Sequence, residues 1–470
     1  MDAFADTPVS DLAPTLQRLR DAWQARKPDY AQRRNDLQRL RNALKRRLDE
    51  MADAIAADFG HRSKDESRIA DGMTVLNDID HLLKHLRSWM KPRRVGVGWR
   101  FLPARAQVRP VPLGVVGVIA PWNYPVNLAL IPLATAIAAG NHVYLKPSEH
   151  TPRSSAFLRD LLAEVFPPQR VAVATGGADV GAAFAALPFD HLVFTGSTAV
   201  GRKVMAAAAP NLTPLTLELG GKSPAIIADD YPIEKAAARL ATGKWFNCGQ
   251  TCIAPDYVLV PARKRNALVQ ALRAEVHARF GSDFSNTNDY TRIVNDGQYA
   301  RLQGYLDDAQ QRGIDTITLA GSADPSQRLL PPTLLLEPGD DAKVMQEEIF
   351  GPLLPIKRYA TLDEAIAYIN AHDRPLALYP FSHSKATVEK ILHETVAGGV
   401  SVNDTLFHFA IGNLPFGGVG ASGMGAYHAR AGFDAMSKQL PILWQARRTG
   451  SDLLKPPYSK AKWLLDLIVR

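Results

Sequence analysis

Both cysteines of this 470-residue chain fall in one stretch of nine, Asn247-Cys248-Gly249-Gln250-Thr251-Cys252-Ile253-Ala254-Pro255. A thiolate is the strongest nucleophile a side chain offers near neutral pH, and a free cysteine ionises at about 8.5. Gly249 lets backbone come close to a ligand, and Pro255, which lacks an N–H, ends whatever precedes it. The stretch reads as a helix or turn terminus that presents one thiol. Two inert, buried cysteines would fit the same letters. Cys248-x3-Cys252 has no second pair and no nearby histidine, so no four-ligand zinc centre is expected.

Other residues could work beside such a thiol. Glu218 precedes two glycines in an otherwise apolar stretch. A carboxylate there tends to have a raised pKa and can act as a base near neutral pH; a satisfied structural carboxylate is the plainer reading. Asn123, between aromatic residues and prolines, suits an oxyanion donor or a cap for the following helix. Lys146 and Glu149 could grip ribose hydroxyls or form a surface ion pair. Gly196-Ser197-Thr198-Ala199-Val200-Gly201 is not a G-x-G-x-x-G fingerprint. It would still place helix N-terminal N–H groups where phosphate binds, unless it is an ordinary turn.

These residues need a frame. Leu12, Leu16 and Leu19, then Leu37, Leu40, Leu44, Leu48 and Met51, recur at helical spacing and predict helices over 11–58. A further helix is expected over about 66–90, with Ile69, Met73, Leu76, Ile79 and Leu83 on one side, ended by Pro92. Arg94–Leu102 alternates like part of an exposed hairpin, a strand edge open to another chain. From residue 110 strand, loop and helix alternate at short intervals. Strands are expected at 115–120, 143–146, 171–173 and 191–194, with helices over 128–139 and 152–165 between them. This is a doubly wound α/β pattern, with ligands bound at the carboxyl ends of the strands. Thr216–Pro224 interrupts the alternation. A strand at 225–227 and a helix over 233–247 then lead to the cysteines. A second α/β unit follows, with strands near 257–260, 316–320 and 353–358 and helices near 262–280, 297–312 and 361–370.

A chain of this length suggests two or three domains. Hydrophobic residues at 46% and charged residues at 22% describe a globular composition. The net charge is +8, but the basic residues are scattered and no nucleic-acid module is present. Two cysteines build no disulfide framework, which points to a reducing compartment, the cytoplasm. Residues 1–20 carry Asp2, Asp6 and Asp11 and no long apolar run, so no secretory signal is expected. No run reaches the ~18 apolar residues of a membrane span.

Together the motifs resemble the NAD(P)-dependent aldehyde dehydrogenase superfamily. Pro121–Pro125, Lys146–Glu149, Phe194–Arg202, Glu218–Pro224, Gly249–Pro255, Glu347–Pro352 and Pro415–Gly425 occur in the family's order across about residues 110–440. Asn403-Asp404-Thr405-Leu406, Leu414–Gly420 and the short N-terminus look like the class 3 branch of aryl, fatty and coniferyl aldehyde dehydrogenases. The resemblance implies that Cys252, not Cys248, is the nucleophile, Glu218 the general base and Asn123 the oxyanion donor. It implies cofactor contacts at Lys146 and Glu149 (adenosine ribose), at Gly196, Ser197 and Gly201 (pyrophosphate), and at Glu348 and Phe350 (nicotinamide ribose and ring). Trp122, beside Asn123, goes with that set unless its ring packs in the core. NAD is the expected cofactor, with NADP possible. The expected fold is a Rossmann-like domain (1–92 and 110–217), a catalytic α/β domain (218–402) and an arm (93–109 and 403–470) that pairs a homodimer. A bulky aryl or long-chain aldehyde is the expected substrate, with Tyr124, Phe246, Phe407 and Phe409 as candidate tunnel walls. Glu218 argues against a coenzyme-A-acylating relative, and the set Cys252, Glu218 and Asn123 against a non-catalytic relic. The tail Lys460–Arg470, cut by Asp466, is too short to span a bilayer and is expected to dock on a subunit.

Overall fold

The computed structural model describes residues 6–284, 287–447, 449 and 456–469; Asp2 and Arg470 lie outside them. The leucine spacings place helices at Val9–Ala25, Tyr30–Arg46 and Leu48–Phe59, with Leu12, Leu16, Leu19, Leu37, Leu40, Leu44 and Met51 buried. The helical run from Lys64 to Trp89 has a different phase from that expected. Its turn Arg68–Met73 is π-type, one residue wider than an α-turn. That extra residue rotates the face, so Val75, Ile79, Leu82 and Leu86 are buried. Ile69 and Met73, expected on the same side as Ile79, are each 50% exposed.

The predicted hairpin is only partly one. Arg93–Val95 (β1) pairs antiparallel with Arg105–Pro112 (β2), and Trp99–Phe101 forms an exposed 3-10 turn. The first large sheet follows: Val115–Ile119 (β3), His142–Lys146 (β4), Val171–Val173 (β5), His191–Thr195 (β6) and Leu215–Glu218 (β7). All five are parallel, in the order β7-β6-β3-β4-β5. Thr216–Glu218 therefore does not interrupt the alternation; it is the sheet's last parallel strand. Only four residues long and running into two glycines, it offers little period to read. The sheet is covered on both faces. Val116, Val118, Val143 and Leu145 face one core with the helix Asn127–Ala139, while Val115, Tyr144, Leu192 and Phe194 face another with Leu12, Leu16 and Leu19. Gly140 ends the Asn127–Ala139 helix in the left-handed region at φ 96°.

The second sheet holds Pro224–Ile227 (β8), Tyr257–Pro261 (β9), Thr316–Thr318 (β10), Thr333–Leu336 (β11), Leu353–Tyr359 (β12), Ala377–Phe381 (β13) and Gly399–Val400 (β14). Its order is β10-β11-β12-β9-β8-β13-β14, with only β10 antiparallel. The short pair Gly423–Met424 (β15) adds antiparallel to β7. Ser437–Trp444 (β16) returns to β2 and completes the three-stranded sheet β1-β2-β16. Lys462–Val469 is a short helix with Trp463 and Leu467 exposed. Among the described residues no helix is long and apolar enough to cross a membrane.

Candidate active site

The helix Ile233–Trp245 ends at a turn whose backbone is left-handed three times running: Asn247 at φ 50°, Cys248 at 54° and Gly249 at 73°. A methyl group on Gly249 would lie 2.2 Å from the carbonyl oxygen of Gly351, so only glycine fits there. Gln250 is fully buried and locks the turn. Its Nε2 donates to the carbonyls of Asn247 (3.1 Å) and Arg292 (3.0 Å), and its Oε1 accepts from the N–H of Val294 (3.0 Å).

The turn treats its two thiols differently. Cys248 is fully buried and lies 3.3 Å from the Tyr290 hydroxyl, and burial pushes its thiol up to about 12. Cys252 is half-buried and therefore reachable. Burial raises its pKa, and the carboxylates of Glu348 and Glu218 add to the rise; its own N–H and that of Ile253 oppose it.

Glu218 ends β7 and is 2% exposed. Neither carboxylate oxygen has a hydrogen-bond partner, so it is not the satisfied structural carboxylate of the plainer reading. Burial holds it well above the usual carboxylate range. The buried Tyr427 hydroxyl is likewise unpartnered and feels Glu218, Cys252 and Asp78 in turn. Glu348 is packed so closely over Gly220 that a methyl group there would overlap its carboxylate. Burial, then Asp256, pushes Glu348 up to about 8, opposed by the N–H of Gly221.

Asn123 does not cap the following helix. The N–H groups of Val126 and Asn127 donate instead to Asp71 Oδ1, at 3.1 and 3.0 Å. Asn123 Nδ2 donates to the carbonyl of Gln250 at 3.1 Å. An amide nitrogen carries two N–H groups, and this bond occupies one. Trp122 is half-buried between Phe59 and Phe350, with ring centroids 6.3 and 5.3 Å away. Its ring thus packs in the core as well as walling the loop.

The remaining candidates follow the carboxyl ends of neighbouring strands. After β4, Lys146 Nζ lies 2.7 Å from Glu149 Oε2, with the lysine buried and the glutamate on the rim. Burial is the largest single influence and works to raise the Glu149 pKa, but the bond from Lys146, the residue's own N–H and the charges of Lys146 and His150 together outweigh it, and the net shift is downward. After β6, Ser197 caps the helix Thr198–Ala208 by accepting from the N–H of Val200. Gly201 sits inside that helix, where a methyl group would meet the Leu219 side chain at 2.6 Å; it sets how closely helix and strand approach. Phe409 stacks into a cluster with Phe416 (4.9 Å) and His428 (4.7 Å), whereas Phe407 is 54% exposed. Among the described residues no cluster of His, Cys, Asp and Glu could hold a metal.

Several residues escaped the sequence reading. Lys222 pairs with Asp256 and donates to the carbonyls of Val344 (2.8 Å) and Glu347 (3.0 Å), tying the Gly220-Gly221 turn to the loop that carries Glu348. It lies in the Glu218–Pro224 segment, so a signal was there. Lys244, pushed down to about 8 by burial, and Tyr427 stood in no pattern that singles them out.

Parallel strands in an order that reverses beside β3, with Asn123, Lys146, Gly196 and Glu218 at or just after the carboxyl ends of its strands, define a doubly wound α/β protein with a ligand crevice at that edge. The chain belongs to the aldehyde dehydrogenase family, whose profile matches residues 11–440, and it oxidises aldehydes to carboxylic acids. It is 50% identical over 465 residues to a "Probable coniferyl aldehyde dehydrogenase" of Pseudomonas aeruginosa, covering 98% of this chain and 97% of that one. It is 43% identical over 461 residues to a "Coniferyl aldehyde dehydrogenase" of a Pseudomonas species, covering 96% and 95%. A substrate-bound structure of Staphylococcus aureus AldH superposes with a TM-score of 0.92 at 37% identity, covering 97% of this chain and 99% of that one. The family uses NAD(P)+.

Proposed function

We propose that this enzyme oxidises a bulky aryl aldehyde of the coniferaldehyde type, with Cys252 as nucleophile, Glu218 as general base and Asn123 as oxyanion donor. The observation that carries this reading is the pairing of a reachable thiol with a buried carboxylate that has no other partner. Cys252, as its thiolate, attacks the aldehyde carbon, and the resulting oxyanion takes hydrogen bonds from Asn123 and from the Cys252 N–H. A bound nicotinamide dinucleotide supplies the hydride acceptor that turns the hemithioacetal into a thioester. Glu218 then draws a proton from a water that cleaves the thioester to the acid.

The chain's own residues suit that cofactor. Lys146 and Glu149 meet at the β4 edge for the adenosine ribose, and the capped helix behind Gly196 and Ser197 suits a pyrophosphate. Gly201 lets that helix lie close to the sheet, and Glu348, Phe350 and Trp122 bound the nicotinamide end. The Glu149 carboxylate accepts from a ribose 2′-OH and repels a 2′-phosphate, which favours NAD over NADP.

Two aromatic groups support the substrate class. Tyr124, bonded to Thr251 at 2.6 Å, stacks on Phe246 at 6.5 Å, and Tyr427, which feels the charge of Cys252, packs with His428, Phe409 and Phe416. Assembly as a homodimer is favoured by the outer edge of β16, where Leu440, Leu443 and Trp444 are exposed. Two free thiols suit the cytoplasm.

NADH or NADPH formation with coniferaldehyde, hexadecanal and succinic semialdehyde, with NAD+ or NADP+ respectively, tests the reading. Coniferaldehyde with NAD+ should lead in kcat/KM by about tenfold or more. A preference for the semialdehyde would contradict the substrate class, and a preference for NADP+ the role given to Glu149.

A further inference from the structure

Arg62 lies 61 residues before Asn123, yet its side chain is fully buried beside it. The guanidinium is engaged on several sides, with the Phe59 ring centroid 5.4 Å from it. Nη1 donates to the main-chain carbonyl of Asn123 at 3.2 Å. Nε donates to Glu66 Oε1 at 3.1 Å, and Nη2 lies 3.3 Å from Asp71 Oδ2. Its flat face covers the Tyr124 ring at 4.9 Å from the centroid.

The Asn123 carbonyl, Glu66, Asp71 and Tyr124 each have a second attachment that leads to the site. The Asn123 carbonyl also accepts from Asn247 Nδ2 at 2.9 Å, in the nucleophile turn. Glu66 accepts from the Asn247 N–H and, at 3.1 Å, from Thr291 Oγ1. Asp71, carried inward by the π-turn, holds the N–H groups of Val126 and Asn127, which close the Asn123 loop from behind. The Tyr124 hydroxyl is bonded to Thr251, the residue before Cys252. One cation therefore ties both ends of the 123–127 loop to the turn of residues 247–252.

We propose that Arg62 is a positioning residue: it fixes the Asn123 amide relative to Cys252 and so sets how well the oxyanion is held. The proposal rests on the roles given above to Asn123 and Cys252. Its physical basis is that a guanidinium presents several fixed donors in one plane and can hold a carbonyl and two carboxylates at once, whereas a lysine ammonium is a single mobile point. Positioning errors near 1 Å at a reacting centre cost about a hundredfold in rate. With the charge kept and the planar fork lost, the amide should wander while the cofactor edge, built on β4 and β6, stays as it is.

The test is a double-mutant cycle with coniferaldehyde and saturating NAD+, read as the rate of the pre-steady-state NADH burst, with the NAD+ dissociation constant measured alongside. Arg62→Lys should slow the burst about tenfold or more and leave NAD+ affinity within about twofold. In an Asn123→Ala background the same change should slow it by less than about twofold, because the group it positions is already gone. Equal slowing in both backgrounds would overturn the proposal, as would weakened NAD+ binding with an unchanged burst. If Arg62→Lys does not fold, the isosteric Glu66→Gln loosens the same clamp from its acidic side and is judged by the same two outcomes. An Asn123→Ala enzyme with an unchanged burst would instead overturn the assignment of Asn123 itself, and the clamp with it.

Discussion

At the scale of single residues, the environments of the two thiols make opposite predictions. Cys252→Ser should abolish turnover, while Cys248→Ser, which loses only a contact to Tyr290 in a sealed pocket, should keep most of it. Steady-state rates of the two folded variants check this, and equal loss would contradict it. Asn123→Ala should lower kcat by about 10²–10³, the usual cost of one oxyanion donor, with little change in NAD+ affinity. Asp78 makes a prediction about stability. It is 6% exposed, one of its oxygens has no partner, and burial pushes it up to about 7. A carboxyl raised in this way contributes stability fully below its unfolded pKa of about 4 and loses it as pH rises to its folded value. Relative to wild type, Asp78→Asn should gain on the order of 2 kcal/mol between about pH 5 and pH 7 and nothing further above about pH 8. Denaturant titrations at several pH values check this; parallel profiles for the two proteins would contradict it. Cys252, Glu218 and Asn123 could be singled out as candidates from the sequence because each sits in a compact motif. Arg62 and Tyr427 could not be, because the link from Arg62 to Asn123 and those from Tyr427 to Glu218 and Cys252 run between distant parts of the sequence and only the fold brings them together.

At the scale of elements, the turn of residues 247–252 depends on backbone that one residue type permits at Gly249. Gly249→Ala puts a methyl group 2.2 Å from the Gly351 carbonyl at a φ of 73°, so the turn must move. Because Gly351 belongs to the loop that carries Glu348 and Phe350, both thiol and cofactor contacts should shift. A fall of about a hundredfold in kcat/KM, with the fold retained by circular dichroism, is the expected outcome. An active Gly249→Ala enzyme would show that the turn has slack the structure does not suggest. The elements that the sequence does not disclose differ in cause. The helical run through residues 64–89 was placed correctly, but its face was not, because a π-turn adds a residue without leaving a mark in the apolar spacing. β7 was missed because four residues ending in a glutamate and two glycines do not show a strand's period. β11 and β13 were missed as well; Thr333–Leu336 and Ala377–Phe381 are short runs with prolines close by.

At the scale of the whole molecule, strand and helix alternation was readable from 110 onward because parallel strands buried on both faces read as short apolar runs. Sheet order and the return of Ser437–Trp444 to β2 were not, since pairing between strands more than 300 residues apart leaves no local signal. That return gives the arm a long outer edge, and with Trp99, Phe101 and Leu102 exposed nearby it suits a second copy of the chain. Replacing residues 94–102 by a short Gly/Ser loop should therefore weaken a dimer measured by light scattering. A monomeric wild type would contradict the assembly, and a variant dimer of undiminished affinity would move the interface elsewhere.

The central claim is that the aldehyde carbon becomes bonded to Cys252 and is released through Glu218. It is tested most directly in the Glu218→Gln enzyme, mixed with coniferaldehyde and NAD+, quenched after the NADH burst and digested. Both cysteines fall in one peptide, so fragmentation between residues 248 and 252 locates the acyl group. The account predicts a burst followed by little turnover, with the acyl mass on the Cys252 sulfur. An acyl group on Cys248, or a Glu218→Gln enzyme that turns over at the wild-type rate and accumulates no adduct, would contradict it.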